Sequence, residues 1–141
     1  GRVTGYLRAL AEAKLEFRTE YLIHSDFTSQ GGFNAFKQLL ALPERPTAIF
    51  VSNDLMAIGA IDAARRVYGL EIPRDLSIVG FDGVGPAAWE SYHLTTVRQP
   101  VGRMTDAAVA MLMERIADPD LPPEVRTFAG KLLPGGSAVL G

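Results

Sequence analysis

The chain has 141 residues, no cysteine and a formal charge of −2, with 48% hydrophobic and 21% charged residues. That is about one ordinary domain of water-soluble, globular composition, long enough to bury a core without disulfides or metal. Disulfides and thiolate metal sites are excluded, the near-neutral charge leaves no electrostatic footprint for nucleic acid, and no apolar run approaches the roughly 20 residues of a membrane span.

Gly1–Tyr6 lack the apolar core of a signal peptide, and there is no initiator Met. From Thr4 to Leu15, the residues Tyr6, Leu7, Leu10, Ala11 and Leu15 recur at helical spacing, which predicts an amphipathic helix. Thr19–Ile23 is rich in strand formers and reads as a short strand. A second helix should begin near Thr28 or Ser29, either of which can cap it, and should carry Phe33, Phe36, Leu39 and Leu40 before ending at Pro43. Thr47–Ser52 is a near-continuous apolar run, as in a strand buried on both faces. Asp54–Tyr68 reads as the next helix, closed by Gly69, and Leu76–Phe81 as another buried strand. Strands alternating with helices indicate βαβ units and a parallel sheet, so the fold class is α/β. Beyond Asp82 the rhythm changes. A loop leads to a short strand at Thr95–Gln99, a long helix at Val101–Ala117, strand candidates at Val125–Phe128 and Lys131–Leu133, and a Gly-rich tail.

Several kinds of chemistry can be tested against these elements. Gly83-Val84-Gly85-Pro86-Ala87-Ala88 matches the GxGxxA form of a dinucleotide loop after a strand. That motif also needs an acidic residue ending a strand about 20 residues on, where this chain instead reads as helix around Asp106. His24 and His93 have no metal-ligand spacing, no Gly-x-Ser-x-Gly elbow is present, and no carboxylate pair is spaced for acid–base work. No catalyst, metal site or cofactor is expected. What remains is a set of groups near the carboxyl ends of the parallel strands: Phe27, Ser52-Asn53-Asp54, Asp82 and Gln99. Ligands of open α/β sheets bind beyond those ends. A ring with an amide and carboxylates suits a small polyhydroxylated ligand. Asp54 stands where a helix cap belongs, Asn53 fits either a cap or a ligand contact, and Asp82 ends a buried strand with no adjacent cation, which favours ligand contact.

"RPTAIFVSNDLMAIGAIDAA", "IPRDLSIVGFDG" and "LTTVRQPVGRMTDAAVAML" resemble, in order and spacing, the effector-binding region of the lactose/galactose-repressor (LacI/GalR) family. The resemblance runs from "RVTGY" to "KLLPGGS". It implies a periplasmic-binding-protein-like α/β fold, a parallel sheet flanked by helices. That fold would be partial here, lacking most of the N-terminal subdomain. Residues 1–98 would be the distal subdomain without its first strand, 99–129 the crossover, helix and strand of the proximal subdomain, and 130–141 the returning tail. It also implies a cytoplasmic, non-enzymatic regulator, most often a repressor. A sugar-like or nucleobase effector would lie in the cleft, and operator DNA would be bound through a separate N-terminal domain. Carried over by motif, Asn53, Asp82 and Gln99 match effector-lining positions and Phe27 an aromatic that stacks on the effector. The alternative on the same fold is a periplasmic sugar-binding protein of a transporter. Two departures stand out: Asp82 is followed by Gly83 where many members have a second Asp, and the effector-anchoring arginine should lie just before residue 1. In this family the helix 54–68 helps form a homodimer. Met56, Ala57, Ala60 and Ala64 should face the sheet, leaving Ile58 and Ile61 too apolar for solvent, so Ile58, Ile61, Phe33 and Trp89 are expected at or near that contact.

Overall fold

The computed structural model describes residues 1–140. Its elements run α1 (Arg2–Glu12), a short 3-10 turn (Thr19–Tyr21), α2 (Ser29–Leu40), β1 (Ala48–Phe50), α3 (Asp54–Tyr68) and β2 (Ser77–Asp82). A second 3-10 turn (Gly85–Ala88), β3 (Thr95–Arg98), α4 (Val101–Ala117) and β4 (Lys131–Leu133) complete the chain. The sheet order is β1-β2-β3-β4; the first three strands are parallel and β4 runs antiparallel to β3. Ile49 lies opposite Ile78, Phe81 opposite Val97, and Val97 opposite Leu132.

Local chemistry accounts for the helix bounds. The Thr28 hydroxyl accepts the Gly31 amide at 2.9 Å and starts α2, while Asp26 accepts both the Thr28 amide and its hydroxyl. At α3 the cap is Asn53, whose Oδ1 accepts the Met56 amide at 2.9 Å. Gly69, at φ 63°, closes the helix in the left-handed conformation that glycine adopts without a Cβ penalty.

The core forms where α2 and α3 pack on each other and α3 on the sheet. Phe36, Leu39 and Leu40 meet Ala57, Ala60, Ile61 and Ala64, with Ile78, Leu76 and Leu94 from the sheet side. Two glycines allow the helices to cross closely: a Cβ at Gly32 would overlap the Met56 carbonyl, and one at Gly59 the Ser29 carbonyl. The tail is tied in by Ser137, whose hydroxyl donates to the Ile78 carbonyl at 2.6 Å and accepts the Thr95 amide at 2.9 Å.

Two strands expected from sequence do not form. Thr19–Ile23 makes a 3-10 turn followed by extended chain, and Val125–Phe128 is irregular. Strand formers need a ladder, and a cavity separates Tyr21–Ser25 from β1, leaving that edge of β1 unpaired. Neither α1 nor α4 buries a single residue.

Candidate functional site

A polar cluster forms where α1 meets the carboxyl ends of β2 and β3. Asp82, the last residue of β2, accepts through one oxygen from Arg2 Nη2 at 2.9 Å and from Gln99 Nε2 at 2.6 Å. The Arg2 guanidinium also lies over the Phe81 ring, 4.4 Å from its centroid, so ring and carboxylate fix it together. Asp82 Oδ2 takes no hydrogen bond among the described residues, and the carboxylate remains a quarter exposed. The cluster therefore presents a fixed cation beside a free acceptor, a combination suited to hydroxyl and ring-nitrogen groups.

Two of the candidate residues have left-handed backbone, as do Lys14 and His93 elsewhere. Asp82 has φ 122° and Phe27 φ 64°, conformations that residues with a Cβ seldom adopt. Phe27 is held this way in part because its carbonyl accepts from Asn53 Nδ2 at 3.0 Å, while its ring stays 58% exposed. Asp82 is followed by Gly83 at φ 73°, whose amide and that of Val84 donate to Asp54 Oδ2 at 2.7 and 2.9 Å.

The structure thus gathers Asp82 and Gln99, adds Arg2, and places Phe27 on a separate loop tied to Asn53. It gives the cap to Asn53 and not to Asp54. Asn53 is the cap and is buried, with its amide nitrogen already on Phe27; Asp54 is the fully buried carboxylate that organises the loop after β2. Sequence reasoning did not single out Arg2, and it took Asp82 to have no adjacent cation. Only spatial proximity, across 80 residues of chain, reveals it.

A cavity of about 390 Å³ lies under the open edge of β1, lined in part by Phe27 and Ser52. Ile23, Ala35, Phe36 and Ile49 make it mostly apolar, and of the polar cluster it reaches only Arg2. The GxGxxA segment ends in a four-residue 3-10 turn, and two of its amides are taken by Asp54, so it offers no helix terminus to a pyrophosphate. No group of three or more His, Cys, Asp or Glu that could hold a metal ion occurs among the described residues.

The outward placement expected of Ile58 and Ile61 is corrected. Ile61 is 0% and Ile58 8% exposed within the chain itself, because α3 is packed on two sides, by the sheet and by α2. Phe33 is half-buried against the core, whereas Trp89 is 60% exposed.

Residues 1–138 match the family model described as a periplasmic binding protein-like domain. The chain is 41% identical over 133 residues to the HTH-type transcriptional repressor PurR of Yersinia enterocolitica, an alignment that covers 94% of this chain and 39% of that protein. It superposes on a transcriptional regulator CelR–cellobiose complex with TM-score 0.90 and 29% identity, over 97% of this chain and 42% of that one. A LacI family regulator from Enterococcus faecium with bound ribose gives TM-score 0.83 and 26% identity, over 97% and 50%. The chain spans about two-fifths of the length of the curated relative.

Proposed function

Since the chain belongs to the periplasmic binding protein-like family, within its LacI/GalR-type regulators, we propose that it senses a small effector for a DNA-binding repressor. Its relatives are transcriptional regulators, not enzymes. The effector is a sugar-like or nucleobase-like molecule, held at the ends of β2 and β3. The observation that carries this reading is Asp82, strained, fixed by Arg2 and Gln99, and left with one unpaired oxygen. Relatives with bound cellobiose and ribose support the ligand class. Phe27 contributes an exposed ring to the effector, and Asn53 acts on it by holding the Phe27 carbonyl.

The unburied α1 and α4 and the open edge of β1 support the division made from sequence. Residues 1–98 and the tail form one subdomain with room for a further strand beside β1, and 99–129 belong to a second. The protein works in the cytoplasm as a homodimer, binding operator DNA through a domain outside residues 1–141. Effector binding would bias closure of the two subdomains and so the spacing of the DNA-binding heads, a population shift.

A thermal-shift screen of the full-length protein against ribose, cellobiose and purine bases tests the effector. A specific stabilisation that saturates is the expected result, and indifference to all small sugars and bases would remove the reading. Residues 1–141 alone, at net charge −2, should give no mobility shift with operator DNA at physiological salt, since phosphate contacts supply nearly all non-specific affinity. A helix-turn-helix ahead of residue 1 in the full-length protein would favour the regulator over a periplasmic transport protein.

A further inference from the structure

We propose that Asp54 is a positioning residue of the effector site, holding Asp82 in the strained conformation that presents its carboxylate. The proposal rests on the effector reading of Asp82. Asp54 is fully buried, yet among the described residues it forms no ion pair. Its Oδ2 accepts the Gly83 and Val84 amides at 2.7 and 2.9 Å, and its Oδ1 accepts the Thr96 hydroxyl at 2.6 Å. A buried carboxylate without a cation is costly to keep unless its hydrogen bonds do something an apolar side chain would not.

Capping does not explain it, because Asn53 already caps α3. Core filling does not explain it either, because the sheet makes room for it. A Cβ at Gly80 would overlap Asp54 Oδ1, so β2 carries a glycine where the carboxylate lies against it. What the carboxylate does is bind the two amides that immediately follow Asp82. Those bonds turn the backbone sharply at Asp82 (φ 122°) and Gly83 (φ 73°). The turn directs Asp82 toward Arg2 and Gln99 instead of along the strand. Thr96, on the neighbouring strand β3, anchors the other oxygen and keeps the clamp from rotating. The first turn of α3 is thereby joined to the Asp82 turn through a single side chain.

Hydrogen–deuterium exchange by mass spectrometry on the full-length protein tests this without any ligand. In Asp54→Ala the segment containing Gly83 and Val84 should exchange at least about tenfold faster, as expected when charge-assisted bonds to those amides are lost. The segment containing Ile58–Ala64 should stay near its original rate. A crystal structure of that variant should show the Arg2–Asp82 contact broken, and Asp54→Asn, which keeps an acceptor for the amides, should restore both readouts. A merely structural Asp54 would accelerate exchange across the whole domain and leave the Arg2–Asp82 contact in place, and that result overturns the proposal. Should Asp54→Ala not fold, Val84→Pro removes one donor at a position whose φ of −74° already suits proline. Local acceleration at Gly83 then supports the clamp, and unchanged exchange there overturns it. The effector reading fails separately, by unchanged ligand affinity in Asp82→Ala.

Discussion

Arg2, in the first turn of α1, and Asp82, at the end of β2, form an ion pair of 2.9 Å across 80 residues of sequence. Each side chain is partly exposed, so solvent screens the pair and its weight in folding is small. In the proposed effector site its weight is larger, because a fixed cation and a carboxylate with one free oxygen would define a polar edge before any ligand arrives.

Asp82→Ala should weaken effector binding at least tenfold in the full-length protein. A hydrogen bond to a charged group contributes about 1.5–3 kcal/mol, and each 1.4 kcal/mol is about a decade. Arg2→Ala should weaken it as well, by removing both the cation and the support of the carboxylate. Calorimetry showing unchanged affinity in a folded Asp82→Ala protein would take that residue out of the site.

Gly59→Ala should destabilise the chain by about 1–3 kcal/mol, even though alanine is the better helix former by about 1 kcal/mol. The added methyl would overlap the Ser29 carbonyl and force α2 away from α3. Urea unfolding measures the loss; a stabilised variant would mean that the crossing of these helices is looser than the structure has it.

Ile61→Asp should unfold the domain, with a loss of at least about 3 kcal/mol, because Ile61 is wholly enclosed and the new charge would have no partner. Trp89→Asp should behave differently. Trp89 is 60% exposed, so its replacement should leave the protein folded and dissociate the proposed homodimer, losing only the concentration-dependent stabilisation that association supplies. Light scattering together with thermal unfolding separates the two effects, and the placement of Trp89 at the contact is falsified if that variant remains dimeric.

Acid should loosen the start of α2. The hydrogen bonds Asp26 accepts from the Thr28 side chain, and then from its amide, hold the Asp26 carboxyl below its ordinary value of 3.8. A depressed folded-state value means the contribution is complete above the ordinary value and is lost as pH falls through the lower one. Asp26 is exposed, so the effect is small. Unfolding curves of the parent and Asp26→Asn should therefore differ by a constant amount above about pH 5 and converge in stronger acid. A gap that widens toward low pH would contradict this.

Local pattern sufficed wherever the physics is local. The i, i+3, i+7 spacing of Phe33, Phe36 and Leu40 set the buried side of α2, and Thr28 and Gly69 marked helix ends, because a cap and a left-handed turn involve only near neighbours. The apolar runs around Ile49 and Ile78 announced parallel strands, though not the burial on both faces expected of the first, since Ala48 and Phe50 of β1 are exposed; three ordered motifs were enough to identify the family. Those motifs also brought Asp82 and Gln99 forward as site residues, and the structure places the two in contact.

Tertiary structure decided the rest. Asn53 and Asp54 are equally good caps by residue type. The choice fell to Asn53 because amides 29 and 30 residues downstream draw the Asp54 carboxylate into the core. Helical periodicity gave α3 one buried side, but Ile61 is enclosed because α2 supplies a second wall. Thr19–Ile23 has the composition of a strand and none of the pairing, since a ladder needs a neighbour and a cavity lies where one would be. Arg2 joined the site for the same kind of reason. An ion pair depends on distance in space, and 80 intervening residues leave no periodicity by which a chain could announce it.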